Sequence, residues 1–278
     1  MDFSKLNFFM NLFILLKYEL KKINFLRNFI LLVKKIYFSP KFISQKNIIN
    51  HKRFLITGAN SGIGLALTKL LLNNNNFVIA LYNKNFNNLS KINNKNLVKI
   101  RYDLSSFRDF KSAEKKINSL SPQIIVNNAA YFDKKYSFGN YKSKVFFNNL
   151  YKGFNVNCFS ILKIVFIILK KIRKKKVDII LNISSDAAII SKNYSKGGIV
   201  YKTSKTTLNA ITKCLYLELK EYDINVFALH PGPVKTKSNP HGLISPEICA
   251  LKIEELLSKN DKRYAGKCID INEKIIQN

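Results

Sequence analysis

Acidic residues are scarce in this chain: 17 Asp and Glu stand against 47 Lys and Arg in 278 residues, a formal net charge of +30. Such a surface carries a strong positive field whatever the fold. The lysines, however, are spread singly among Asn and Ile, and no stretch alternates basic with aromatic residues, which argues against nucleic acid as a partner. Cysteine is scarce too. Cys158, Cys214, Cys249 and Cys268 lie 56, 35 and 19 positions apart, without a C-x-x-C pair or a His cluster at zinc spacing. That pattern argues against a disulfide framework and a metal site, and reduced thiols in a cytoplasmic compartment are the simplest account. Long apolar runs are also missing from the N-terminal segment. Its longest uncharged stretch, Leu6 to Leu16, spans eleven residues and includes Asn7 and Asn11, whereas a spanning helix needs about 20. Asp2 precedes Lys5 and no small-residue cleavage site follows, so a secretory signal is not expected.

Residues 1–50 nevertheless differ from the rest. Apolar positions at Leu6, Met10, Phe13 and Leu20, then Ile23, Leu26, Ile30, Val33 and Ile36, approximate helical spacing, with Lys17, Lys21, Lys22, Arg27, Lys34 and Lys35 between them and a stop at Pro40. A basic amphipathic helical extension is expected. Two roles stay open for it: peripheral contact of residues 1–40 with a membrane surface, or packing on the main domain or on a second subunit.

From Arg53 onward, short Ile/Val/Leu runs recur between longer helix-like segments, the pattern of a parallel sheet covered on both faces. Strands are expected at Arg53–Thr57, Phe77–Tyr82, Val98–Asp103, Ile124–Asn127, Asp178–Ser184 and Asn225–His230, with a seventh at Lys267–Ile271. Helices are expected near 62–73, 106–119, 144–173 and 200–221. The fold class is therefore α/β: one doubly wound Rossmann domain over residues 51–278, with a mainly parallel sheet of six to seven strands.

Directly after the first strand comes Thr57-Gly58-Ala59-Asn60-Ser61-Gly62-Ile63-Gly64, opening onto a helix. Glycines let a backbone approach a pyrophosphate, and the amides and dipole of a helix N-terminus stabilise its charge. Alone, such a turn is weak evidence. Its company makes it specific. Asp103-Leu104 ends the third strand and Asn127-Asn128-Ala129-Ala130 the fourth. Asn155-Val156-Asn157 lies in the next helix, Ile183-Ser184-Ser185 ends the fifth strand, and Tyr201-x-x-x-Lys205 puts two side chains on one helix face. Pro231-Gly232-Pro233-Val234-Lys235-Thr236 follows the sixth strand.

In this order the motifs resemble those of the short-chain dehydrogenase/reductase family, over roughly residues 51–275. In detail they are similar to its C-factor and Sniffer branch, which includes carbonyl reductases. Ala130 and Ser160 replace two glycines usual in the family. The resemblance implies an NAD(P)-dependent oxidoreductase interconverting a small-molecule carbonyl and an alcohol by hydride transfer. It assigns Tyr201 as general acid/base, with Asn157, Ser185 and Lys205 completing the catalytic set. Gly58, Asn60, Ser61, Gly62, Ile63, Gly64, Asp103, Leu104, Asn128, Ala129, Tyr201, Lys205, Pro231, Gly232, Val234 and Thr236 would hold the cofactor. The second strand ends at Tyr82, where NAD-preferring members carry an acid, and Lys84 follows; the balance tips to NADP(H) over NAD(H). The apolar helix through Phe159 and Phe166 fits either a homodimer or a buried core helix. Two other functions stay open: a non-catalytic nucleotide-sensing protein on the same scaffold, and a membrane-surface reductase acting on lipid-linked substrates.

Overall fold

The computed structural model describes residues 48–276 apart from 85, 109, 134–141 and 193–195. The extension expected over residues 1–50 lies outside the described residues except for its last three.

Eight strands form one sheet: β1 (Arg53–Thr57), β2 (Phe77–Tyr82), β3 (Leu97–Arg101), β4 (Ile124–Asn127), β5 (Ile179–Ile183), β6 (Asn225–His230), β7 (Cys268–Asp270) and β8 (Ile275–Ile276). Their order is β3-β2-β1-β4-β5-β6-β7-β8. All pairs are parallel except β7 with β8. The strand count exceeds the expected six to seven because the chain turns back after β7 and adds two residues antiparallel. From β1 the chain winds outward to β3, then returns to the other side of β1 as β4. This reversal opens a crevice at the carboxyl ends of the central strands, where α/β sheets take their ligands.

The central strands read as continuous apolar runs because both faces are covered. Every residue of β4 and β5 is buried, and burying each Ile, Leu or Val side chain contributes about 1.5–3 kcal/mol. The helices are α1 (Gly62–Asn73), the one-turn α2 (Asn87–Ser90), α3 (Phe110–Leu120), α4 (Ser143–Phe154), α5 (Ser160–Arg173), α6 (Ile199–Leu219) and α7 (Pro246–Lys259). The turn after α1 needs a left-handed residue, and Asn75, with φ 58°, supplies it. Asn76 is fully buried, its amide donating to the carbonyls of Leu71 and Ile49.

Helices α4 and α5 run on through one π turn, Asn155–Phe159. Where a single regular helix is expected over 144–173, the ladder widens by one residue, as π turns do near functional sites. Along α5, Ile161, Ile164, Ile168 and Ile172 are buried, which makes it a core helix, while Phe166 on the outer side is 65% exposed.

Candidate active site

The glycine turn is close-packed backbone. Gly58 and Gly62 adopt φ 64° and 53°, a region that disfavours side chains. A Cβ on Gly64 would lie 2.5 Å from both the Gly58 carbonyl and Asn128 Nδ2. Asn128 clamps this turn: its amide donates to the carbonyls of Thr57 at 2.9 Å and Gly58 at 3.3 Å. The backbone N–H groups of Asn128 and Ala129 both donate to Thr57 Oγ1. Ser61 is the N-cap of α1 but makes no side-chain cap hydrogen bond, so its hydroxyl does not occupy the first-turn amides. The Pro231–Thr236 segment comes to the same place, since a Cβ on Gly62 would meet Thr236 Cγ2 at 3.2 Å. Gly232 makes that segment's turn at φ 74°, and Val234 bridges to Ile244. A flat, glycine-lined approach to a helix N-terminus fits a dinucleotide pyrophosphate.

Two residues past β3, Asp103 Oδ1 accepts the N–H and hydroxyl of Ser105 at 2.9 and 2.7 Å. Partial burial opposes its ionisation, yet these hydrogen bonds, with the charge of Lys84, hold it below the ordinary carboxylate value. Leu104 is buried, and its carbonyl accepts from the Lys163 ammonium at 2.9 Å. Lys163 is itself buried in α5, 4.1 Å above the Phe107 ring. Beside Asp103 lies a cavity of about 540 Å³ whose walls include Lys84, Arg101, Arg108 and Lys116.

The four expected catalytic residues come from three elements at the same end of the sheet: Asn157 from the π turn, Ser185 from the turn after β5, and Tyr201 and Lys205 from α6. Lys205 is buried, 1% exposed, and its ammonium donates to the Ile183 carbonyl at 2.7 Å. Burial brings it down to about 8, against a weak opposing influence from Cys158 and Cys268. Its Nζ stands 5.9 Å from the centroid of the Tyr201 ring, one helical turn back. Burial raises the Tyr201 phenol, a hydrogen bond with Ser185 lowers it, and the charge of Asp186 raises it again. The edge of Phe132, just past β4, closes on Tyr201 with ring centroids 5.0 Å apart. Ser185 Oγ accepts from the Ala187 N–H and donates to Asp186 Oδ1 at 2.9 Å.

Asn157 sits in the π turn, buried. Its Oδ1 accepts the Tyr131 N–H at 2.7 Å, and its amide donates to the Tyr131 carbonyl and to Ser204 Oγ at 3.0 and 2.8 Å. The amide thus pins the post-β4 loop to the residue preceding Lys205, without a direct bond to Lys205. Phe132, Lys163, Arg101, Arg108, Lys116 and Asp186 of this site escaped sequence reading. Only Asp186 carries a signal, as an acid adjoining the strand-end serine in a chain poor in acids.

The family model of the short chain dehydrogenases matches residues 52–241. A probable short-chain type dehydrogenase/reductase, VdlC of Helicobacter pylori, is 30% identical over 184 residues, 66% of this chain and 65% of that protein. The chain thus spans just under two thirds of VdlC's length. Two solved structures share its fold at TM-score 0.73 and 24% identity, covering 82% of this chain and 99% of each: the carbonyl reductase Sniffer of D. melanogaster and an NADPH-bound carbonyl reductase from chicken fatty liver. A 4-hydroxyisoleucine dehydrogenase complexed with NADH is 25% identical at TM-score 0.69, covering 81% of this chain and 98% of that one. With the glycine turn, the strand-end serine and the Tyr-Lys pair at one end of a doubly wound sheet, the chain belongs to the short-chain dehydrogenase family of oxidoreductases.

Proposed function

We propose that this protein reduces a small carbonyl compound to an alcohol, and runs the reverse reaction, with Tyr201 as the proton donor and acceptor. The observation that carries the reading is the buried Lys205 ammonium, held by the Ile183 carbonyl at the end of β5 and 5.9 Å from the Tyr201 ring, with Ser185 in the turn that follows. When bound, a nicotinamide dinucleotide supplies the hydride.

The residues of the chain do the rest. Tyr201 gives its phenolic proton to the substrate oxygen, and Ser185 hydrogen-bonds that oxygen as charge builds on it. A protonated Tyr201, as its burial favours, suits the donor role. Lys205 offers the positive charge that steadies the phenolate left behind. Asn157 holds the Tyr131 loop and the Tyr201–Lys205 turn of α6 in fixed relation. Gly58 and residues 60–64 would take the pyrophosphate, Asp103, Leu104, Asn128 and Ala129 the adenosine side, and residues 231–236 the nicotinamide end.

NADP(H) is the favoured cofactor in this reading. Lys84, Arg101, Arg108 and Lys116 surround the cavity next to Asp103, four cations to one carboxylate, an environment suited to a 2′-phosphate. The four cysteines are free, in keeping with a reducing, cytoplasmic setting. The exposed Phe159 and Phe166 offer an apolar strip for a second copy of the chain, read by sedimentation as a dimer.

The test is a panel of ketones, aldehydes and dicarbonyls followed by absorbance of the reduced nicotinamide, run with NADPH and NADH. Turnover with preference for NADPH supports the reading. Absence of both turnover and nucleotide binding would overturn it.

A further inference from the structure

Lys163 is out of place among the buried residues of α5. The others are Ser160, Val165 and five isoleucines, and an apolar side chain would fill the position as well. Burying a charge is costly unless hydrogen bonds or a partner compensate it. The compensation comes from the turn after β3. The ammonium donates to the Leu104 carbonyl at 2.9 Å and, at a longer 3.5 Å, to the Ser106 carbonyl. Phe107 covers it, with the ring centroid 4.1 Å from Nζ, and is itself 67% exposed. The cation beneath accounts for an aromatic ring left on the surface.

The turn is closed by its own hydrogen bonds. The Ser106 N–H donates to the Asp103 carbonyl at 3.1 Å, while the Ser105 N–H and hydroxyl donate to Asp103 Oδ1. Ser106 Oγ accepts the Arg108 N–H at 3.0 Å. Residues 103–108 therefore move as one unit, and Asp103, Ser106 and Arg108 all stand in the wall of the basic cavity. Lys163 fastens this unit to a core helix. The helical run that braces the Tyr131 loop at Asn157 also braces the post-β3 turn at Lys163, six residues or about 9 Å further along.

We propose that Lys163 is a positioning residue for the nucleotide: through the Leu104 and Ser106 carbonyls it sets the place of the Asp103–Arg108 turn, and with it the affinity for the adenosine half of the dinucleotide. This rests on the reading that Asp103 and Leu104 take the adenosine side. It adds that the affinity is controlled from the core, by a residue that does not itself meet the nucleotide. Without the ammonium the two carbonyls must turn toward other donors, and the turn shifts with them.

The experiment measures 5′-AMP affinity by calorimetry on the full chain, as wild type, Lys163→Met and Lys163→Arg. Methionine keeps the length and the apolar stem and removes the donors; arginine keeps a cation with donors for both carbonyls. The Met variant should lose about tenfold in affinity, and the Arg variant should stay within about threefold of wild type. In NADPH oxidation on the carbonyl panel, KM for NADPH in the Met variant should rise about tenfold while kcat at saturating NADPH stays within about twofold, a split that general damage to the fold does not produce. An unchanged 5′-AMP affinity in Lys163→Met, an Arg variant as weak as the Met one, or a kcat that falls as far as the affinity overturns the proposal. The wild type tests the underlying reading separately. If it binds neither 5′-AMP nor NADPH, the nucleotide reading fails and the role of Lys163 with it; if it binds 5′-AMP but turns over no carbonyl, the calorimetry alone decides the role of Lys163.

Discussion

Replacing Lys205 by Met should stabilise the protein at neutral pH and destabilise it at high pH. In the unfolded chain this amine keeps its proton up to about 10.5; in the folded protein burial reduces that to about 8. Between these values the unfolded state holds more protons, so the stability of the wild type rises with pH across the window and is lowest below it. The burden below pH 8 is about 3 kcal/mol. Methionine has similar length and no charge, but it strands the buried Ile183 carbonyl that Lys205 now satisfies at 2.7 Å, a loss of about 1–2 kcal/mol. The net gain at pH 7 is roughly 1–2 kcal/mol, or about 2–8 °C in Tm for a domain of this size. By about pH 10.5 only the lost hydrogen bond remains, and the variant should melt below the wild type. Thermal unfolding followed by circular dichroism, without nucleotide, reads both ends. A melting difference that keeps its sign and size from pH 7 to about pH 10.5 would refute the electrostatic reasoning.

Asn157→Ala removes three hydrogen bonds, to the Tyr131 N–H, the Tyr131 carbonyl and Ser204 Oγ. The cost should be about 3 kcal/mol, seen as a Tm lower by roughly 6–12 °C; a drop under about 2 °C would contradict the bracing role. Gly64→Ala puts a Cβ 2.5 Å from the Gly58 carbonyl, so the turn must open, and affinity for 5′-AMP measured calorimetrically should fall about tenfold or more. Arg101→Ala should weaken adenosine 2′,5′-bisphosphate far more than 5′-AMP; equal losses would detach the basic cavity from the 2′-phosphate.

The parallel sheet was legible because strands buried on both faces must be apolar throughout. β1, β2, β4 and β6 begin and end at the expected residues. Helix α7 was not read, although Ser245-Pro246-Glu247 opens it with a serine cap and a first-turn proline. Strand β8 has two residues, too few for any period to show. The π turn that holds Asn157 depends on packing against Tyr131 and Ser204, and no local pattern announces it. The catalytic candidates were legible by their order along the chain, whereas their surroundings were not. Arg101, Arg108 and Lys116 disappear among 47 basic residues until the fold gathers them around one cavity. Asp186 acquires meaning only once Ser185 and His230 are seen on either side of it.

Turnover of the Tyr201→Phe protein on the carbonyl panel, with nucleotide affinity measured on the same preparation, tests the central claim most directly. The expected result is a loss of about a thousandfold in rate with affinity for the reduced nicotinamide dinucleotide within about threefold of wild type. A variant that turns over near the wild-type rate would contradict it.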